Sequence, residues 1–144
     1  MESKSFFVTG IDTNIGKTIV SAILVEALKA DYWKPIQSGD LHYTDTDKVK
    51  ELVSRKTLFH PEAYRLSNPL SPHISAKLDH ISIALASFQL PKTNNNLIVE
   101  GAGGVLVPIN EKGDYLSDVI LKLGMEVLLV SKNYLGSINH TLLS

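Results

Sequence analysis

The sequence predicts an α/β fold: a mostly parallel sheet covered by helices on both faces. Short runs at residues 5–9, 32–33, 97–99 and 127–130 alternate with segments of helical length, and they are almost uniformly apolar, as strands buried on both faces require. A glycine-bounded loop, residues 10–16, joins the first of these runs directly to a helical segment. In such sheets ligands gather at the carboxyl ends of the strands, so the groups after Thr9, around Lys34, at Glu100 and after Val130 should share one edge.

Each element has its own warrant. Residues 5–9 read as a buried strand, and 18–29 as the helix that follows the loop. Tyr32-Trp33-Lys34-Pro35 reads as a second strand stopped by proline. Thr and Asp residues open the segment 44–53, and Val49, Leu52 and Val53 fall on one side of it, which predicts a short helix. Residues 56–77, with Pro61, Pro69 and Pro72, are expected to be mostly loop, and 79–88 to be helical. Leu97-Ile98-Val99 closes on Glu100 and leads into a second glycine-rich turn, Gly101-Ala102-Gly103-Gly104. Residues 116–123 with Gly124 behind them predict a helix and its C-cap, followed by the strand 127–130. The stretch 135–140 predicts a helix start capped by Ser137, whose free N–H groups suit an anion.

At 144 residues the chain suits one compact unit, with 44% hydrophobic and 20% charged residues, proportions of a soluble globular protein. Fourteen basic residues against fifteen acidic ones argue against a broad surface for nucleic acid or anionic lipid, so any phosphate binding must be local. No cysteine is present, which removes disulfides, thiolate metal sites and cysteine nucleophiles. Neither a signal peptide nor a membrane span is expected, and cytoplasm is the default compartment. The five histidines show no metal-ligand spacing, and no serine sits in a nucleophile elbow.

The strongest chemical signal is Gly10-Ile11-Asp12-Thr13-Asn14-Ile15-Gly16-Lys17-Thr18 between strand and helix. That context predicts a phosphate loop: amides of the loop and the helix start face an anion, Lys17 meets the terminal phosphates, and the Thr18 hydroxyl suits Mg²⁺. The usual spacing puts four residues between the first glycine and Gly-Lys-Thr; here there are five. The fold class is therefore P-loop NTPase-like. Glu100, Asp47 and Thr18 are the candidate Mg²⁺ ligands, because this hard cation takes oxygen donors. A carboxylate behind three apolar residues favours Glu100, whereas Asp47 reads equally well as part of a helix cap. Lys34, at the binding edge, is a candidate for neutralising charge on a transferring phosphoryl group, with a solvated lysine as the bland alternative.

Taken with Lys34-Pro35-Ile36-Gln37-Ser38-Gly39, Ser71-Pro72-His73-Ile74-Ser75, Val99-Glu100-Gly101-Ala102-Gly103-Gly104 and Leu135-Gly136-Ser137-Ile138-Asn139-His140, the loop resembles the dethiobiotin synthetase family in order and spacing. The five-residue gap is the form that family uses. The resemblance implies an ATP- and Mg²⁺-dependent cyclo-ligase of biotin biosynthesis that makes dethiobiotin, ADP and phosphate from 7,8-diaminononanoate and CO₂. A carbamate forms on one amine and attacks the γ-phosphate, and the second amine closes the ureido ring.

The resemblance also implies roles for single residues. Thr13, Asn14, Ile15, Gly16, Lys17, Thr18, Glu100, Gly101 and Gly103 would meet the nucleotide, and Thr18, Asp47 and Glu100 the metal. Lys34 and Ser38 would face carbamate and γ-phosphate, with Lys17 sharing in catalysis. Gly136, Ser137, Ile138 and Asn139 would hold the substrate carboxylate across the interface of a homodimer. The family fold continues beyond Ser144 into strands that carry its adenine contacts, so the chain corresponds to that fold without its C-terminal part. A shorter connection before Lys34 than in many relatives should alter a surface turn only. The rival readings are a related P-loop amidoligase or partition-type ATPase, which often has a further lysine near the loop start that residues 10–15 lack, and a nucleotide-binding module without turnover. A GTPase is disfavoured by the absence of Asn-Lys-x-Asp.

Overall fold

The computed structural model describes residues 4–54 and 56–144. Its main sheet has five strands in the order β4-β2-β6-β1-β7, where β1 is Ser5–Gly10, β2 Asp31–Trp33, β4 Phe59–His60, β6 Leu97–Gly104 and β7 Glu126–Val130. All four pairings are parallel. The helices are α1 Lys17–Leu28, α2 Asp45–Leu52, α3 Pro72–Leu78, α4 Leu116–Leu123 and α5 Ser137–Leu143. The expected α/β architecture is thus observed. Among the described residues no helix is long and apolar enough to cross a membrane.

Side-chain alternation along each strand splits the core in two. Phe7, Trp33, Leu97 and Val99 pack on one face with Leu116, Val119 and Ile120 of α4. Val8, Tyr32 and Ile98 pack on the other with Ala22 and Val25 of α1 and Val49 of α2. The same parity carries Lys34, two residues after Tyr32, and Glu100, two after Ile98, to the face that α1 covers. The main-sheet register, Tyr32 beside Ile98, brings them to one level.

Four expectations are corrected. Residues 56–77 are not mostly loop: they hold β4, β5 (Tyr64–Leu66) and α3, and β5 pairs in parallel with β3 (Ile36–Ser38) as a second, two-stranded sheet. Residues 79–88 are not an α-helix. Asp79 accepts from the backbone N–H and hydroxyl of Ser67, and His80 turns to φ 56°, ending the helix at Leu78. Only a 3-10 turn, Leu85–Ser87, follows, and Ile83 and Phe88 reach the core from it and its flanks.

The third correction concerns the glycines after Glu100, which continue β6 instead of turning. A Cβ at Gly101 would lie 2.8 Å from Leu116 Cδ2 and 2.9 Å from Phe7 Cε1, so a missing side chain lets the strand pass under α4. Gly124 is the left-handed C-cap of α4 as expected, whereas α5 is capped by Gly136 at φ 99° and Ser137 is its first residue, without a side-chain cap.

Candidate active site

A cleft of about 1030 Å³ opens at the carboxyl edge of the sheet, where parity and register predict it. Thr13, Asn14, Gly16, Lys17 and Thr18 form its floor. Gly16 caps α1 at φ 102°, so the first amides of that helix face the cleft free of intrahelical partners. Ile15 does the opposite: its buried side chain fills the space beside Gly10, under the loop. Lys17 folds back across the loop, and its Nζ donates to the Asp12 carbonyl at 2.7 Å. Burial, then the charge of Lys34, holds the Lys17 ammonium below the ordinary lysine range.

Glu100 lies at the centre, 1% exposed. A buried carboxylate costs several kcal/mol unless donors surround it, typically ~3 or more if one charged partner is removed. Its donors are Thr18 Oγ1 at 2.9 Å and Lys34 Nζ at 3.2 Å, both to Oε1, and Tyr32 Oη at 3.0 Å to Oε2. Glu100 is therefore not a strand end in solvent. Lys34 Nζ also donates to the Gly101 carbonyl at 3.3 Å and lies 2.9 Å from Asp45 Oδ2. Burial pulls its pKa down, but Glu100 and Asp45 outweigh burial and leave it above the ordinary lysine value.

Asp45, which the sequence reading passed over, takes the place expected for Asp47. It lines the cleft with Lys34, and burial, which would raise its pKa, is overcome by Lys34 and Lys48 so that the carboxyl sits below its usual range. Gln37 fastens this end of α2 to β3: its Oε1 accepts from the Asp45 N–H at 3.2 Å while its Nε2 donates to the Gly39 carbonyl.

Asp47 faces elsewhere, which corrects its assignment to the cleft. Its Oδ2 accepts from the backbone N–H and the hydroxyl of Thr44, completing a capping box, and its Oδ1 pairs with Lys50. The box consumes the carboxylate because the third helical residue is the one whose side chain can reach back to the cap.

Ser38 reaches the cleft from the end of β3, and its buried Oγ has no hydrogen-bond partner. Ser71 and Pro72 also line the cleft, while His73 does not. Gly103, at φ 70°, lines the cleft; Gly101 does not, and contributes its carbonyl to Lys34. Gly136, Ser137, Ile138 and Asn139 lie outside the cleft, with Ile138 78% exposed. Among the described residues no three His, Cys, Asp or Glu side chains gather as a metal cage. At the buried centre of the cleft the Thr18 hydroxyl and the carboxylates of Glu100 and Asp45 gather around Lys34 as hard oxygen donors, while Asp40 and Glu51 line it further out.

Sequence reasoning missed Asp45 and Tyr32. For Tyr32 the signal existed: it precedes Lys34 by two residues, so the same strand parity that aims Lys34 aims Tyr32. For Asp45 the signal was the cap itself, since Thr44 as N-cap makes Asp47 its reciprocal partner.

The sequence model of a family described as an AAA domain matches residues 4–144. Among curated proteins, one named ATP-dependent dethiobiotin synthetase BioD from Christiangramia forsetii is 54% identical over 142 residues, covering 98% of this chain and 68% of the relative. Its namesake from Cytophaga hutchinsonii is 54% identical over 143 residues with the same coverage. That from Chlamydia pneumoniae is 51% identical over 137 residues, 95% of this chain and 61% of the relative. The chain thus spans roughly two thirds of the length of these relatives.

Proposed function

Because the chain belongs to the ATP-dependent dethiobiotin synthetase family, we propose that its cleft closes the ureido ring of dethiobiotin from 7,8-diaminononanoate and CO₂, converting ATP to ADP and phosphate. The observation that carries this reading is the meeting of Thr18 and Lys34 on the buried carboxylate of Glu100 at the mouth of the phosphate loop. An idle nucleotide-binding module has no need to bury an ion pair there, because burial of both charges costs free energy that phosphate binding alone does not require.

In this reading the amides of residues 13–18 cradle the polyphosphate, and Lys17 exchanges the Asp12 carbonyl for terminal phosphate oxygens. Thr18, Glu100 and Asp45 would hold Mg²⁺. Their hydroxyl and carboxylates are the hard donors this cation takes beside phosphate oxygens and water, and it would neutralise charge growing on the transferred phosphoryl group. Lys34 faces the carbamate and γ-phosphate, where its raised pKa keeps it cationic at neutral pH. The partnerless Ser38 hydroxyl is free to bond the same groups. Gly136, Ser137, Ile138 and Asn139 are assigned to the substrate carboxylate in the other subunit's cleft, which makes the working unit a homodimer; that none of them lines its own cleft and that Ile138 is exposed support the assignment. The cytoplasm, where ATP and bicarbonate are available, is the compartment that fits.

The test is ADP formation from ATP, Mg²⁺ and bicarbonate with and without 7,8-diaminononanoate, beside a Lys17→Ala variant. Release that needs the diamine and disappears in the variant is expected. Diamine-independent release, or undiminished turnover in the variant, contradicts the proposal.

A further inference from the structure

Glu100 is held from two sides, and one of them is the interior of the sheet. Its Oε1 faces Thr18 and Lys34, and its Oε2 accepts from Tyr32, a side chain with no exposed surface. Tyr32 sits beside Ile98 in the register of β2 and β6, two residues short of Glu100. The rise over two strand residues, about 6.6 Å, is matched by the reach of a tyrosine ring, so only the phenol end arrives at the carboxylate.

The ring and the hydroxyl do separate work. The ring packs with Val8, Val25, Val49 and Ile98, and meets Phe59 at 5.9 Å between centroids, contacts that phenylalanine would keep. The hydroxyl adds nothing to that packing. Its hydrogen is given to Glu100 Oε2, 3.0 Å away. The terminal torsion of a glutamate is soft, and a carboxylate with one oxygen anchored has lost that freedom.

We propose that Tyr32 is a positioning residue, whose hydroxyl anchors Glu100 Oε2 so that Oε1 is presented to Thr18, Lys34 and a divalent cation. The inference rests on the reading of Glu100 as a cation ligand. Outer partners of ligating carboxylates usually change metal affinity about 10- to 100-fold when removed, which sets the expected size of the effect.

The experiment measures Mn²⁺ binding by electron paramagnetic resonance in the presence of a β,γ-imido ATP analogue, in the full chain and in Tyr32→Phe, Glu100→Gln and Val49→Ala. Tyr32→Phe should raise the Mn²⁺ dissociation constant about tenfold while leaving metal-free binding of the analogue unchanged. Val49→Ala loosens the same packing without touching the hydroxyl, so it should lower the melting temperature and leave Mn²⁺ affinity alone. If Tyr32→Phe binds Mn²⁺ as the parent does, or fails to fold, the inference is overturned; so it is if Val49→Ala weakens Mn²⁺ equally, since packing then carries the effect. Unchanged Mn²⁺ affinity in Glu100→Gln would instead identify the failure as that of the ligand assignment beneath it.

Discussion

Lys34 Nζ lies 2.9 Å from Asp45 Oδ2, and this contact joins the end of β2 to the start of α2 across the cleft. It sorts two aspartates that stand two positions apart. Asp45 projects to the lysine and the cleft, whereas Asp47 is spent on the Thr44 capping box.

The two aspartates should therefore fail differently. Asp45→Ala is expected to lower kcat about tenfold or more, with little change in the fold, the usual effect of losing a carboxylate that holds a metal or orients its ligands. Asp47→Ala should leave kcat unchanged and cost about 1 kcal/mol of stability, the usual worth of a helix cap. Steady-state kinetics beside urea unfolding separates them, and a kinetic defect confined to Asp47→Ala would reverse the assignment.

Lys34 shares its buried setting with Glu100, their side chains being 4% and 1% exposed. Lys34→Ala strands a buried carboxylate and should cost about 3 kcal/mol or more. Adding Glu100→Gln removes the stranded charge, so the double variant should regain part of that stability yet no turnover. Recovery of turnover would show that Lys34 serves only as a counter-ion. In the single variant kcat should fall about 10²- to 10³-fold while affinity for ATP changes far less, because the lysine acts on charge that grows in the transition state.

What the sequence reveals and what it hides divide along local and non-local lines. The phosphate loop, the Gly124 cap and the apolar strands β1 and β6 are local signals, and they are found where expected. Strand β3 is not local: Ile36–Ser38 is a strand because Tyr64–Leu66 lies beside it, and no pattern within either triplet announces the other. Residues 79–88 mislead for a related reason, since the Ser67 contacts that bind Asp79 come from outside the segment. In the site, Glu100 is legible as an acid behind an apolar run. The choice between Asp45 and Asp47 turns on cap geometry, which periodicity does not encode.

The pairing of Asp45 also predicts a pH effect. Its folded pKa lies below the ordinary value of 3.8, so its contribution to stability is complete above that value and is lost as pH falls through the lower folded pKa. Lys34 has the mirror behaviour, complete below 10.5 and lost as pH rises through its raised value, but Lys17 shifts the opposite way and blurs the alkaline limb. The acid limb is the cleaner test. Asp47, Asp79 and Glu111 also titrate low and keep part of the slope, so Asp45→Asn should flatten it without abolishing it. Urea midpoints from about pH 5 to pH 3 should fall less steeply in the variant; identical slopes would mean the Lys34 contact is not made in solution.

Two glycines with left-handed backbones make a last pair of contrasting variants. Gly16, at φ 102°, has nothing within 4 Å of where a Cβ would stand, and it lines the cleft. Gly39, at φ 73°, has Pro69 Cα at 2.6 Å and Pro69 N at 2.7 Å from that position, so an added methyl group would meet backbone. Both alanine variants bear the left-handed strain of about 1–2 kcal/mol. Only Gly39→Ala adds a collision that a flexible side chain cannot relieve, about 1–3 kcal/mol more, and it displaces the wall that carries Ser38. Gly16→Ala should therefore stay folded and lose affinity for an ATP analogue, because its methyl group stands where phosphate must approach the loop amides. Gly39→Ala should lose stability first. Titration calorimetry on the folded Gly16→Ala chain decides the matter: parental affinity for the analogue would mean that the polyphosphate does not lie against the start of α1.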